Sequence, residues 1–498
     1  MGTNRFASWS LAAAAAALAL PACTVVGPAF APPAAPAPQA WSQWHGGAAD
    51  LAPDAAASAS LATWDPVLDA TLRELLALAD ANNADLQTAA LRFAQARTQR
   101  RVAQAQAGPQ LDANAAVTRQ RLSEDGAGTR MVDAIGGAGP AREALRQFLA
   151  SPYTTYDAGF DASWELDLWG RVRRAIEAAD ANADQARALL GQVRLSVRAE
   201  LARDYYDLRS TQAQLRLAWD ELAAARDNAA LVEGRVAGGL APDVEAVQQR
   251  GIVADLESRI PALQQQEAAA INQITLLAGQ PPGALNAALA SPAGETVWAP
   301  PALALGIPSE LAARRPDIRA ALAQLHAATA NIGVAVGDLY PRIALTGSFG
   351  FESLAAGSFG DWASRQWRLG PSLSIPVFDG GRRRGVVELR RLEQQEAAVR
   401  FQQTVLRAWH EVDGAVAAYN AERARGTPLR TRLASARETM QLAQERYRNG
   451  LTTFTPVLDA QRSLAQVEST QAQHESRLAA GWIALLKALG VDAPGVSK

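Results

Sequence analysis

The chain has 498 residues, enough for several domains or one very long one, and its 48 basic and 50 acidic residues leave a net charge of -2. Nucleic-acid binding normally depends on concentrated positive charge, so this balance argues against a nucleic-acid partner. Only 6% of residues are aromatic, whereas Ala, Gln, Arg, Glu and Leu are abundant, which is typical of long helices packed side by side. No window has the roughly 18 apolar residues that a membrane-spanning helix needs, so any membrane crossing would have to use strands.

The N-terminus has the features of a bacterial secretory leader. One cation, Arg5, precedes an apolar run at residues 11–20, which is too short to span a bilayer. Small residues then lead to Cys23, the only cysteine in the chain, so an intramolecular disulfide is impossible. We therefore predict a signal peptide over residues 1–22 and a Pro- and Ala-rich tether over residues 23–65.

The residues around Cys23 resemble the Leu-x-(Ala/Gly)-Cys box of bacterial lipoproteins, in which Pro21 is an unusual residue. This resemblance implies a lipid anchor on Cys23. Thr24 follows in place of the Asp that retains lipoproteins at the inner membrane, which implies the outer membrane as the destination. The alternative is an unmodified thiol in an N-terminus that is never cleaved.

The chain repeats itself once. An offset of 232 aligns residues 85–111 with 317–343, and an offset of 211 aligns residues 170–240 with 381–451. The two offsets differ by 21 residues, which we place in a Gly-rich polar stretch at 119–151 that is predicted to be a longer loop. Chance similarity between Ala-rich helices is the alternative explanation.

The repeat defines the expected domain organisation. We predict a first repeat over residues 66–290, an equatorial linker between the repeats over 291–308, a second repeat over 309–490 and a C-terminal tail over 491–498. Each repeat should contain a helix, two strands, a long helix, a turn and a further helix.

Four segments alternate between apolar and polar residues with the period of a β-strand. They are residues 109–119, 155–168, 341–352 and 367–378. In the second segment the even positions are apolar, while the odd positions include the carboxylates Asp157, Asp161, Glu165 and Asp167. A strand needs about 9–11 residues to cross a bilayer, which all four segments provide, and the acidic face suits a wet lumen. We therefore prefer an outer-membrane barrel to a half-buried sheet of a soluble domain.

Four strands cannot close a barrel, and open sheet edges are not tolerated in lipid. The chain is therefore expected to associate with copies of itself. Two copies would give eight strands and an interior filled by side chains, so a conducting pore needs at least three copies and about twelve strands.

The remaining segments read as long helices. Residues 171–237 contain no proline, and their apolar residues recur at spacings of three, four or seven, so at about 1.5 Å per residue this helix would be roughly 100 Å long. A second helix is predicted over 243–278. The second half repeats the pattern, with a long helix over 386–448 that kinks near Pro428 and a following helix over 455–489. A helix over 67–107 is expected to stack end to end with the helix over 243–278.

Two motifs resemble those of a known protein family. The first is Arg314, Arg315, Pro316 and Asp317, and the second is Arg-Tyr-Arg-Asn-Gly-Leu at 446–451 followed by Val-Leu-Asp-Ala-Gln-Arg. With the start after Cys23 and the two-fold repeat, they resemble outer-membrane efflux lipoproteins of the TolC-like, OprM and NodT type. The resemblance extends over nearly all of the mature chain.

The resemblance implies an α+β membrane protein of TolC-like fold. It implies a homotrimer in which four strands per chain form a twelve-stranded transmembrane β-barrel, continued by a long α-helical periplasmic barrel. The implied partners are a periplasmic adaptor (membrane fusion) protein and an inner-membrane RND-type pump, and the implied location is the outer membrane.

The expected function is a passive exit duct of a tripartite efflux pump for drugs or other toxic small molecules. The alternatives are the exit tube of a type I protein secretion system and a non-conducting helical structural protein. The sequence favours no enzyme, because the four histidines lack metal-ligand spacing and no nucleophile elbow, P-loop or dinucleotide fingerprint is present. No cofactor is expected beyond the lipid on Cys23.

Two helical turns are predicted to form the periplasmic tips that contact the adaptor, because glycine allows tight turns. Their residues are Gly238, Gly239 and Leu240, and Asn449, Gly450 and Leu451. The resemblance implies an aperture gate built from a tyrosine and an acidic residue, for which the candidates are Tyr447, Asp459 and Arg462, with Glu245 as a looser match. Asp459 and Arg462 are three residues apart and so share a helix face, and a merely solvated pair is the alternative.

A run of three arginines, at 382–384, follows the last predicted strand. It is either a solvated helix start or a cationic collar at the periplasmic face of the membrane. In the first repeat Arg171 and Arg173 align with Arg382 and Arg384, and Arg174 directly follows them, which suggests a shared role.

Overall fold

The computed structural model describes residues 25–33, 63–126, 129, 132, 140–290 and 314–492. The predicted signal peptide, Cys23, most of the tether, the linker at 291–308 and the end of the tail lie outside the described residues. Those assignments stay predictions.

The helices and strands are numbered here in chain order. They are α1 Ala70–Asn82, α2 Ala84–Ala105, β1 Gln110–Gln120, α3 Pro140–Ala150, β2 Tyr153–Glu165, α4 Arg171–Ala237, α5 Asp243–Leu277, α6 Pro316–Gly337, β3 Arg342–Ser353, β4 Arg365–Ser374, α7 Arg382–Arg448 and α8 Thr455–Ala488. None of the described helices is both long enough and apolar enough to cross a membrane.

The chain divides into two compact units. The first unit comprises residues 1–31, 96–182 and 325–396, and the second comprises residues 32–95, 183–324 and 397–498. Each unit draws on both halves of the chain. The first holds the strands, and the second holds most of the helical residues.

The described strands of the first unit form an antiparallel sheet in the order β1-β2-β3-β4. The register places apolar residues of all four strands on one face. Phe160 of β2 lies opposite Ala113 of β1 and Phe349 of β3, and Phe349 in turn lies opposite Trp367 of β4. The side chains of Phe160 and Trp367 are 53% and 72% exposed, so the described residues do not cover this apolar face.

The other face of the sheet is polar, and it includes a close approach of two backbones. Asp161 lies opposite Asp112 and Ser348. Gly159 and Gly350 also pair across β2 and β3 on this face, and a Cβ added to Gly159 would lie 2.9 Å from the carbonyl oxygen of Phe349. Glycine is required there because any side chain would push the two strands apart.

The core of the second unit lies among helices from both halves of the chain. Its largest buried side chains include Trp64, Leu201, Leu208, Tyr419 and Trp482. Trp64 donates its indole N–H to the carbonyl oxygen of Val491 at 2.9 Å, and Trp482 donates to that of Thr63 at 3.1 Å. These bonds join residues near both ends of the described chain within one core.

The structure corrects several helix and loop predictions. The helix expected over 67–107 is broken at Asn83, whose side chain accepts from the N–H of Leu86 at 3.0 Å and so begins a new helix. The loop expected over 119–151 contains α3. The helix α7 begins at Arg382 rather than at residue 386, and it continues through Pro428 to Arg448 as the prediction of one long helix required. The helix α4 spans the range that its proline-free apolar seam predicts.

The strand ends also differ from the predicted ones. The strand β2 ends at Glu165 rather than residue 168, because Asp167 turns to accept from the N–H groups of Val172 and Arg173 at the start of α4. The strand β4 spans Arg365–Ser374 rather than 367–378 and includes Pro371.

Candidate gate and tips at the helical turns

The turn between α4 and α5 and the turn between α7 and α8 are closed by the same backbone hydrogen bond. Gly239 and Gly450 adopt φ angles of +72° and +75°, which residues other than glycine rarely adopt. The N–H of the following residue, Leu240 or Leu451, donates to the carbonyl oxygen five residues earlier at 2.8 and 2.9 Å. This bond closes the end of the helix and reverses the chain.

The turn residues present apolar side chains outward. Leu240 and Leu451 are 73% and 75% exposed in the single chain. Gly238 and Asn449 are exposed as well, and among the residues that the structure describes no heavy atom lies within 4 Å of a Cβ added to Gly239 or Gly450. The turns therefore offer accessible surface of the kind that a protein partner would cover.

One of the predicted gate residues, Tyr447, lies close to the second turn and links three helices. Its side chain is buried, and its hydroxyl donates to Oε2 of Glu245, at the start of α5, at 3.2 Å. The guanidinium of Arg235, from the end of α4, lies 4.5 Å from the centre of the Tyr447 ring. Arg235 also donates to the carbonyl oxygen of Tyr447 at 3.3 Å. The two helical hairpins are therefore joined by this cluster.

The surroundings keep the phenol of Tyr447 neutral. Burial and the negative charge of Glu245 raise the pKa of Tyr447, although the positive charge of Arg235 opposes this shift. The ring also packs edge-on against Phe454 at a centroid distance of 4.8 Å, within a small apolar core that includes Val232 and Leu458. A neutral phenol beside a carboxylate can only donate, so the hydrogen bond has a fixed direction.

The other two predicted gate residues are placed differently. Asp459 and Arg462, on the first turns of α8, are both exposed. Within the described part of the chain, neither side chain forms a hydrogen bond or an ion pair. The structure therefore brings Tyr447 and Glu245 together and leaves Asp459 and Arg462 open to a contact from outside the chain.

Arg235 is the functional candidate that the sequence analysis missed. It aligns with Arg446 at the offset of 211, directly before the position of Tyr447 in the second motif. That alignment was the available signal. The sequence could not show, however, that Arg235 would lie over the ring of a tyrosine more than 200 residues away.

The first family motif forms a joint between helices rather than a surface. Arg315 is buried and donates to Asp317 at 2.7 Å, to Glu411 of α7 at 2.6 Å and to the carbonyl oxygen of Ala488 at 2.7 Å. Pro316 is the first residue of α6, where its missing N–H costs nothing. Arg314 is exposed. Arg315 thereby holds the start of α6 against the end of α8.

Comparison with known proteins identifies the family. A family model described as "Outer membrane efflux protein" matches residues 75–280 and 307–491, well over half of the chain. The chain belongs to this family. It is similar to the pyoverdine export outer membrane protein OpmQ of Pseudomonas putida, with 33% identity over 86% of this chain and 87% of that one. It is equally similar to the outer membrane protein OprJ of Pseudomonas aeruginosa, with 33% identity over 95% and 94%.

Solved structures share the fold. The outer-membrane channel OprN is 31% identical and superposes with a TM-score of 0.79 over 93% of this chain and 98% of its own. The protein is therefore an outer-membrane efflux component with the α+β fold of TolC-like channels. Among the described residues, no group of three or more metal-binding side chains is assembled.

Proposed function

We propose that three copies of this chain form one channel, with twelve strands across the outer membrane and the helices as a periplasmic tube. In this arrangement small molecules such as drugs pass from the periplasm to the exterior without energy input from the channel itself. A periplasmic adaptor protein and an inner-membrane pump of the RND type supply the substrate and the energy. The acylated Cys23 anchors each copy in the outer membrane.

The observation that carries the proposal is the two-faced sheet with open edges. Each of β1 and β4 pairs with only one neighbour in the described sheet, and unpaired edge groups are not tolerated in lipid. The exposed apolar face, with Phe160, Phe349 and Trp367, suits lipid, and the face with Asp112 and Asp161 suits water. Pairing of β4 with β1 of the next copy would satisfy both requirements.

The tip cluster supports a channel that is closed at rest. Within each chain, Arg235, Tyr447 and Glu245 hold the two hairpins together. Asp459 and Arg462 are exposed and without partners in the described chain, so we propose that they meet neighbouring copies around the three-fold axis. Converging carboxylates there would make the aperture cation-selective.

The turns with the exposed Leu240 and Leu451 are the proposed contact with the adaptor. The tips face the pump in this arrangement. A small-molecule substrate is further supported by the relative OpmQ, whose name is that of a pyoverdine exporter.

Native mass spectrometry and planar bilayer recordings of the purified full-length protein test the proposal together. We expect a trimer whose mature N-terminus carries acyl chains on Cys23, and channel events of low resting conductance. A monomer in detergent, or a trimer without any channel events, would contradict the proposal. A non-conducting structural protein would give the second of these results.

A further inference from the structure

The two strand-to-helix junctions, one before α4 and one before α7, are aligned in the repeat but differ in their charges. In the first junction, all three arginines are paired within the chain. Arg171 contacts Glu165 at 2.8 Å, and Arg173 contacts Asp167 at 3.3 Å. The third, Arg174, contacts Glu177 at 2.6 Å.

The first junction is also covered by the N-terminal segment. Val26 donates its N–H to the carbonyl oxygen of Trp169 at 3.0 Å. A Cβ added to Gly170 would lie 2.8 Å from a methyl group of Val25. In the first junction, residues of the same chain therefore pair the arginines and cover the surface.

The second junction has unpaired cations. Arg382 and Arg384 are exposed, and in the described ranges their side chains have no hydrogen bond or close ion pair, although the charge of Arg382 acts on Asp379 without direct contact. Arg383 alone is paired, with Asp379 at 3.1 Å. The carboxylate of Asp379 also accepts from the N–H groups of Gly381 and Arg383, so the start of α7 is already capped. The helix terminus is therefore not a free anion site, and the excess charge resides on the two arginine side chains.

An uncovered apolar surface adjoins these cations. Val377 and Phe378 are each 92% exposed, and no heavy atom of the described residues lies within 4 Å of a Cβ added to Gly380 or Gly381. Val377 follows the alternation of the apolar face of β4, which includes Trp367. An apolar surface that passes into two cations within seven residues matches the boundary between acyl chains and anionic headgroups.

We propose that Val377, Phe378, Arg382 and Arg384, here called the junction patch, bind an anionic phospholipid of the periplasm-facing leaflet. The apolar pair contacts the acyl chains, and the arginines contact the headgroup phosphate. The proposal rests on the proposed function, because it requires the strands to lie in the outer membrane. It assigns the lipid to the second repeat only, since the first junction is paired and covered.

Native mass spectrometry of the full-length trimer measures whether the junction patch prefers an anionic phospholipid to a neutral one. Phosphatidylglycerol and phosphatidylcholine with identical acyl chains are the probes, each added at the same concentration. One cation near an anionic surface contributes about five-fold in affinity, so Arg382→Gln with Arg384→Gln should lower the preference for phosphatidylglycerol about 25-fold. The matched control is Arg390→Gln with Arg391→Gln, about 12 Å further along α7, which removes the same charge and should leave the preference within about two-fold.

Three results would overturn the proposal. The preference could survive the junction substitutions, or it could fall equally in the control. The junction variant could also lose its trimer in lipid-free detergent, which would assign the patch to a neighbouring copy.

A photo-crosslinking residue in place of Phe378 supplies a second readout. We expect adducts with the mass of a phospholipid, and adducts with residues 34–62 or with another copy would contradict the proposal. Bilayer conductance separates this inference from the channel itself. A junction variant that conducts normally but has lost its lipid preference supports both, whereas a wild-type trimer without channel events counts against the channel only.

Discussion

Asn83 and Arg315 occupy the same joint in the two repeats, each immediately before a short helix. Asn83 donates to the carbonyl oxygen of Leu277, the last residue of α5, at 2.9 Å. Arg315 donates to the carbonyl oxygen of Ala488, the last residue of α8, at 2.7 Å. The backbone arrangement is therefore retained, while a neutral amide in one repeat is replaced by a charged network in the other.

The two repeats therefore share backbone geometry more closely than side-chain chemistry. A left-handed glycine follows each of the two closing helices, Gly279 in the first repeat and Gly490 in the second. A Cβ added to Gly279 would meet the backbone of Asn82 at 2.4 Å, and one added to Gly490 would meet Arg315 at 3.0 Å. Substitutions at aligned positions should therefore have unequal effects wherever the surroundings differ.

The joint gives the largest expected effect. Arg315→Met removes the hydrogen bonds to the half-buried Asp317 and the exposed Glu411 and the bond to Ala488, and should lower the free energy of unfolding by about 2–3 kcal/mol. Asn83→Ala removes a helix cap and one neutral hydrogen bond and should cost about 1–2 kcal/mol. Thermal unfolding of the two purified variants and the wild type, followed by circular dichroism, measures the two losses of stability. Equal effects would show that the charged network adds nothing to the joint.

The aligned glycines Gly159 and Gly370 give the next difference. Gly159→Ala forces the strands β2 and β3 apart, which should cost about 1–3 kcal/mol, whereas Gly370 has open space around its Cβ position. We expect Gly159→Ala to lower the temperature at which the oligomer dissociates in SDS, and Gly370→Ala to change it little. A larger effect at Gly370 would mean that the close approach of β2 and β3 does not limit assembly.

The smallest expected effect concerns Tyr447, which aligns with Val236 in the first repeat. Tyr447→Phe removes only the hydroxyl and its bond to Glu245 and should cost about 1 kcal/mol at neutral pH. The pKa of Tyr447 is raised, so its contribution is complete below the ordinary tyrosine pKa of about 10 and is lost as the pH rises through the folded value. Unfolding midpoints of both proteins between about pH 8 and 11 should converge at the alkaline end, and a constant gap would contradict the assigned hydrogen bond.

The sequence predicted those elements whose signal is local. The proline-free seam of α4 and the alternation of the strands needed no information from elsewhere in the chain. The break at Asn83 had a local signal that was not used, since asparagine favours the N-cap position, but its bond to Leu277 in a distant helix could not be predicted. In the candidate gate, too, only features with a local sequence signal were predicted. Tyr447 was found from a motif, but its contact with Arg235 depends on how two hairpins pack.

The most direct test of the channel account compares the first turns of α5 and α8. The fifth and eighth residues are Val247 and Arg250 in α5, and Asp459 and Arg462 in α8. Single-channel recordings of Asp459→Ala with Arg462→Ala should show a higher resting conductance and weaker cation selectivity. The matched variant, Val247→Ala with Arg250→Ala, should keep both at wild-type values. If the first double variant also conducts and selects like wild type, Asp459 and Arg462 do not form the gate.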